Sequence, residues 1–440
     1  MFTMNCRHLL LKMLAALLMM PTIANGQQFP IAEGWARTKV NMAIFRRDAV
    51  CTFGDQQVAA FYDADKHVVL ARRTHGSGDW ELRVTSLTGR AEDAHNGISI
   101  AFDGSGRLHV CWDHHGNPLR YCRSTASDAL ELNSPEAMMG DKERRVTYPE
   151  FYRMPDGDLL FFYRDGSSGN GNLVLNRYEH RQGTWSRVHD NLIDGEGIRN
   201  ADWQVAVDRL GNIHLSWVWR ETGDVVTNHD IAYAKSNDGG RTWQTTSGQS
   251  YAIPINQANA EYAVKIPQNS ELANQTSMAV DFNGNPIVAS FWRDQPDAVP
   301  QYRLVRFDGN AWKVQQVGNR TLNLYRKGGG TKRPPISRPL LLLDADKSAT
   351  RAFMLFRDLE RDRKMSVAVC TDLDHPKWQF FDLTSESVGQ ADPLIDQNAW
   401  QETGRIHLLT QFVGQGDGEV PEDEPPRMVS IIEWSLLKTH

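Results

Sequence analysis

Beyond residue 26, apolar and polar positions alternate over short runs rich in β-branched and aromatic residues, and helical periodicity is almost absent. Each run stops at Asp, Gly or Asn, the residues that build tight turns. One pattern recurs along the chain: an apolar strand, Asp, a Gly-containing turn and a second apolar strand ending in an aromatic or Asp/Arg. A third strand and a closing Trp or other aromatic complete it. Copies occupy residues 48–86, 97–124, 147–188, 203–245, 276–316, 338–382 and 392–435. A unit of about 40–45 residues plus inserts has the spacing of a four-stranded propeller blade. A lone blade leaves both faces of its sheet wet; stacking seven around a ring buries them and protects the edges. The expectation is an all-β, seven-bladed β-propeller of four-stranded antiparallel blades, forming one domain over residues 27–440.

The segment Ser236-Asn237-Asp238-Gly239-Gly240-Arg241-Thr242-Trp243 fits the pattern SxDxGxxW, the Asp-box of sialidase-like blades, without a mismatch. Its residues suit a hairpin turn: Asp caps backbone amides, Gly supplies positive φ, and Trp packs beneath. It speaks of fold and leaves activity open.

The first 26 residues change the picture of where the chain works. Arg7, His8 and Lys12 flank or interrupt a run, Leu9 to Met20, that is otherwise apolar, and Ala24-Asn25-Gly26 offers a cleavage site. Residues 1–26 therefore read as an export signal, with a periplasmic or secreted destination and no membrane span. Cys51, Cys111, Cys122 and Cys370 remain after its removal, with no CxxC spacing that would suggest a zinc knot. Cys111 and Cys122 fall on two arms of one hairpin and are either a disulfide or two buried thiols. The net charge of −6 argues against a nucleic-acid partner. An anionic polysaccharide remains compatible, through local basic clusters such as Lys142-Glu143-Arg144-Arg145, Arg326-Lys327 and Lys332-Arg333. No coiled coil or swapped arm is visible, so a monomer is expected.

Two segments concentrate functional residue types where strands end, the place a propeller builds its ligand face. The first is Asp93-Ala94-His95-Asn96-Gly97 together with Trp112-Asp113-His114-His115-Gly116-Asn117. The second is Val146-Thr147-Tyr148-Pro149 together with Phe162-Tyr163-Arg164-Asp165-Gly166 and the turn that follows. Alternation along a strand sends His114 and His115 opposite ways, and His115 is the one expected in the cleft.

These segments, with GWARTKVN near residue 34 and PPISRP near residue 337, resemble the BNR-type propellers that include ulvan lyases and some rhamnosidases acting on rhamnose–glucuronate linkages. The resemblance spans essentially all of the chain after residue 26. It implies a lyase acting on a uronate-containing glycan, with His95, His115, Tyr148 and Arg164 as the catalytic group. In β-elimination the uronate carboxylate must be neutralised before the C5 proton leaves, and a guanidinium suits that task. Tyr148 is the expected base and acid, His95 a second base on the opposite sugar face, and His115 a residue that binds the carboxylate or orients the base. Asn96, His114, Arg320 and Arg338 are further candidates for substrate binding. The chemistry calls for no catalytic metal, and His109, His114 and His115 do not follow a known ligand spacing. A structural Ca²⁺ among the Asp-rich turns stays open.

Three other readings compete. The rhamnosidase members resembled here have a catalytic His in the first blade where this chain places Phe53, which cannot move a proton. A sialidase is suggested by Phe45-Arg46, yet the following Ile-Pro and an arginine triad are missing. A lectin would use aromatic stacking alone; the 13 Trp allow it, but blade packing accounts for most of them.

Overall fold

The computed structural model describes residues 26–436 apart from 46, 127 and 346–348. The expected export signal (all but its last residue) and Arg46 lie outside the described residues.

Seven antiparallel sheets follow one another along the chain, giving a seven-bladed β-propeller. Blade 1 is built from Val50–Phe53, Gln56–Tyr62, His67–Thr74 and Glu81–Thr88. Blades 4, 5 and 6 repeat that four-stranded meander, starting from Asn200–Val207, Ser277–Val280 and Leu340–Ala345. In each, the first strand is innermost. The inner strands are mostly buried, whereas every residue of Glu81–Thr88 at the rim is exposed or half-buried. That gradient is what a radial stack requires, with both faces of each sheet covered and only the rim in water.

Blades 2 and 3 depart from the expected four strands. Blade 2 has three, Ile98–Phe102, Leu108–Trp112 and Tyr121–Arg123, with a single bridge between Ser124 and Leu132 in place of a fourth. Blade 3 has four of its own, Val146–Arg153, Leu159–Ser167, Asn170–Glu179 and Thr184–Ile193. A short fifth, His115–Asn117, is lent by the chain leaving blade 2. This loan carries His115 across from one blade to the next.

The core is a set of slabs between blades. Val58, Ala60 and Leu70 of blade 1 meet Ile98, Ile100 and Val110 of blade 2. Ala101 and Cys111 of blade 2 then meet Val146 and Phe161 of blade 3 on the other side. Cys111 and Cys122 thus lie in different slabs, on opposite faces of one sheet, and are free thiols. Ring closure joins the two chain ends: Gln27–Gly34 pairs antiparallel with Arg427–Trp434, Phe29 opposite Ile431. Buried polar ties reinforce the seam, with Thr52 and Gln57 of blade 1 donating to Asp396 at 2.6 and 2.8 Å. Arg73 pairs with Glu433 across it at 2.6 Å.

The Asp-box forms as expected. Asp238 accepts from the Thr242 amide at 2.9 Å, and Gly239 and Gly240 adopt φ of 75° and 90°. Trp243 is buried, its indole donating to the Gly240 carbonyl at 2.9 Å. A Cβ on Gly240 would stand 2.7 Å from Leu175 Cδ2, so the turn also packs closely against blade 3.

Candidate functional site

The site grows from an irregularity in the inner strand of blade 3. Proline at 149 lacks the amide a regular ladder needs. The pairing between Val146–Arg153 and Leu159–Ser167 slips between Thr147 and Glu150. Within that bulge Tyr148 takes φ of +52°, a left-handed conformation that is a genuine outlier for a bulky residue. Such strain persists only where surrounding structure enforces it, and it aims the ring away from its strand neighbours.

Four aromatic rings gather there. His95 lies 5.7 Å from Tyr148 centroid to centroid and stacks on His115 at 4.1 Å. Phe45 packs 4.7 Å from Tyr148 and 5.5 Å from His95. The Arg164 guanidinium lies 5.0 Å from the Tyr148 ring centre. Arg164 comes from the second strand of blade 3 directly opposite Thr147, and His115 is registered with Thr147 on the other side. All four residues expected to be catalytic are therefore brought together.

Asp93 organises the pair of histidines. It sits in the turn entering blade 2, where its side chain also accepts from the His95 amide at 2.9 Å. One carboxylate oxygen meets His95 Nδ1 at 2.6 Å and the other meets His115 Nδ1 at 2.6 Å. Glu419, from the long loop of blade 7, approaches His95 Nδ1 to 3.2 Å. Burial pushes the His95 imidazole down, but Tyr148, Asp93 and Glu419 together outweigh it and raise the group to about 10. His95 is therefore an imidazolium near neutral pH. Burial dominates at His115, which is lowered despite Asp93. Burial would raise Asp93, yet the hydrogen bonds from His115 and His95 hold its carboxyl well below the usual range. Among the described residues, Asp93, His95 and His115 form the group able to hold a metal, their donor atoms all lying within 4.8 Å of one another.

Arg164 is 1% exposed. Its Nη1 donates to Asp202 at 3.2 Å, while Nε and Nη2 have no hydrogen-bond partner among the described residues. A buried guanidinium with two unspent donors is suited to a carboxylate fork. Beside it, Lys39, Phe45, His95, Tyr148, Thr331 and Arg338 line an axial cavity of about 30 Å³. Arg220, Arg326 and Lys332 also line it, against the single carboxylate of Asp392, so its field is positive. Burial lowers Lys39 to about 8 in spite of its 3.0 Å pair with Asp392.

Of the four residues expected to bind substrate, Arg338 alone lines this cavity; it donates to Asn274 at 2.7 Å and covers Phe45 at 5.5 Å. His114 points into the protein, 1% exposed, and its Nε2 accepts from the Arg120 amide at 2.7 Å. Arg320 is spent in a buried pair with Asp358 at 2.5 Å, bracing blade 5 against blade 6. Asn96 is buried and donates to the Arg90 carbonyl at 3.0 Å. Those three hold the scaffold and do not reach the cavity. Sequence reasoning missed the roles of Asp93, Asp202, Thr331 and Glu419. Only Asp93, two residues before His95, gave a local signal.

A larger cavity of about 760 Å³ opens at the other end of the inner strands, lined by Arg47, Asp48, Tyr152, Arg153, Asp208 and Asp281 among others. Tyr148 begins the inner strand of blade 3 on the site side, and Tyr152 to Pro155 reach this opposite mouth. Size favours this cavity, but it holds none of the converging His, Tyr and Arg side chains. Phe53 stands near it, packed on Phe102 and under Arg153.

A closed seven-bladed propeller with a polar, cationic site at one end of its axis is the class that fold and geometry define. The chain belongs to the BNR repeat-containing family, whose pattern matches residues 56–320. Short stretches are similar to curated ulvan lyases: 46% identity over 43 residues to the long isoform of Glaciecola sp. (strain KUL10), and 41% over 49 residues to the short isoform of Alteromonas sp. (strain LOR). These stretches are 10% and 11% of this chain, and the chain spans only 4% and 9% of those relatives' length. Among solved structures, the polysaccharide lyase Uly1 superposes with a TM-score of 0.66 at 17% identity, covering 94% of each chain. A PL25 ulvan lyase bound to -[GlcA(1-4)Rha3S]- gives 0.60 at 15% identity, covering 93% of this chain and 96% of its own. These two share the fold.

Proposed function

We propose that this chain is an exported polysaccharide lyase that cleaves a uronate-containing, ulvan-like glycan by β-elimination. The observation that carries this reading is the convergence of His95, His115, Tyr148 and Arg164 on one point, with two Arg164 donors unspent. Similarity to ulvan lyases in short stretches and in fold supports it.

In this reading the Arg164 fork takes the uronate carboxylate and removes the charge that opposes carbanion formation at C5. Tyr148, flanked by the cations of Arg164 and His95, takes the C5 proton. The C5–H electron pair becomes the C4=C5 double bond as the C4–O bond breaks. The leaving oxygen then needs a proton. His95 carries one, and its Nε2 makes no hydrogen bond among the described residues, so it is the donor rather than a second base. His115 and Asp93 hold the His95 ring at its angle. Tyr148 and Arg164 are 3% and 1% exposed, so a sugar reaches them only after neighbouring cover moves. The segment Gly328-Gly329-Gly330-Thr331, which contributes Gly330 and Thr331 to the cavity wall, is the cover we assign.

Incubating the purified protein with ulvan and other uronate glycans, and following ultraviolet absorbance of the unsaturated product, tests the reading. A rise that vanishes in Tyr148→Phe and Arg164→Lys is the expected result. A folded protein giving no unsaturated product from any uronate polymer would overturn it.

A further inference from the structure

The environment of His95 Nδ1 is crowded in an unusual way. Asp93 Oδ1 lies 2.6 Å from it, Glu419 Oε1 3.2 Å and Thr331 Oγ1 3.5 Å. One ring N–H can serve only one acceptor well, yet two carboxylates and a hydroxyl converge on it. A second imidazole nitrogen, His115 Nδ1, meets the free oxygen of the same Asp93 carboxylate at 2.6 Å. The two imidazole nitrogens and the Asp93 carboxylate lie within 4.8 Å of one another, and nitrogen and carboxylate donors together are the ligand types of a borderline-soft divalent ion.

We infer that Asp93, His95 and His115 form a binding site for a transition-metal ion of the Zn²⁺ kind, with Glu419, beside His95, turning in as the fourth ligand, and that filling it switches the catalytic pair off. Bonds of about 2.0–2.1 Å in a tetrahedron keep donor atoms about 3.3 Å apart. The Glu419–His95 spacing of 3.2 Å already fits. The two contacts of Asp93 must open by about 0.7 Å, a small rotation for a carboxylate on a turn. Imidazole nitrogens disfavour Ca²⁺ and Mg²⁺, which take oxygen ligands. The donors come from the turn before blade 2, the strand lent to blade 3, and the loop of blade 7. One ion therefore ties together parts of the ring far apart in sequence.

Loss of function on loading follows from the chemistry and rests on the lyase reading. Coordination fixes both rings by their Nδ1 atoms and draws His95 and Asp93 onto the ion. Held through Nδ1, the His95 ring cannot turn its Nε2 toward the leaving oxygen.

The test uses the full-length protein, freed of metal by a chelator and then titrated with Zn²⁺ by calorimetry. Co²⁺ serves as the absorbing stand-in that reports tetrahedral coordination. Expected are one ion per chain, a rise in Tm on loading, and binding weakened at least about tenfold in both His115→Ala and Glu419→Gln. The His115 side chain is 35% exposed, so its truncation leaves the fold intact. His375→Ala, which removes an exposed histidine paired with Asp372, leaves binding unchanged. No uptake by the unaltered protein, or equal affinity in His115→Ala and Glu419→Gln, would overturn the site. Uptake that depends on these residues, in a protein that cleaves no uronate glycan, would uphold the site and sink the lyase. Cleavage indifferent to Zn²⁺ in a protein that takes up none would do the reverse.

Discussion

The guanidinium of Arg164 lies over the ring of Tyr148, 5.0 Å from its centre, while only one of its terminal nitrogens is engaged, by Asp202. The same cation keeps two donors in reserve for a ligand. One residue thus packs against the Tyr148 ring and holds two unspent donors beside it.

Replacing Arg164 by Lys keeps the charge beside Asp202 but removes the fork. We expect kcat/KM on a uronate polymer to fall by about 10²–10³, with an unchanged fold by circular dichroism. Steady-state product absorbance provides the measurement.

Tyr148→Phe retains the packing against Phe45 and Trp203 and removes the proton-transfer group. A fall in kcat of about 10²–10⁴ is expected, with little change in Tm. A loss under threefold would show that another residue removes the C5 proton.

Gly240→Ala tests the Asp-box turn. Its φ of 90° and the 2.7 Å approach of Leu175 Cδ2 both oppose a methyl group. Destabilisation of about 1–3 kcal/mol is expected in chemical denaturation, and Gly404→Ala, with φ of 65° and open space around it, should lose less.

Glu433→Ala would strand Arg73, whose side chain is fully buried at the seam between blades 1 and 7. Removing one partner of a buried pair costs about 3–5 kcal/mol, read as a lowered denaturation midpoint. Glu424→Ala, which breaks the more exposed pair with Arg427, should cost under about 1 kcal/mol.

Acid sensitivity has an identifiable source. Burial, with Arg120 and Arg90 nearby, pushes His114 down to about 3. The unfolded chain takes up this proton near pH 6.5, and the folded protein does not until about 3. Stability is therefore complete above pH 6.5 and falls by about 1.4 kcal/mol per unit below it, until the folded group also titrates. His114→Gln, able to accept from the Arg120 amide, should lose less stability than the unaltered protein between pH 6.5 and 4. Parallel losses in the two proteins would show that other groups govern that window.

The blades were legible in the sequence because each is local: period-two alternation and an Asp/Gly turn specify a hairpin within about 20 residues. Blade 2 escaped the pattern because its fourth strand shrinks to the Ser124–Leu132 bridge and an excursion between its second and third strands delivers His115 to blade 3. Tyr148 and Arg164 stood out through their motifs, and alternation rightly separated His114 from His115. Arg320 did not reach the cavity because Asp358, 38 residues away, consumes its charge, and nothing local announces that partner. Thr331 reaches His95 across 236 residues. Contacts of that range are made by the ring rather than by any neighbour in the chain, so they become visible only in three dimensions.

The seam between Gln27–Gly34 and Arg427–Trp434 bears on the order in which the molecule can be assembled. Gln27–Gly34 has Arg427–Trp434 as its ladder partner, and a ribosome makes that partner only after the strands of blades 1 to 6. Earlier blades can stack as they emerge, but Gln27–Gly34 must wait with its backbone unpaired until that partner emerges. Closure is then a single late event, and until it happens the nascent chain carries an open edge that a chaperone or another copy can occupy.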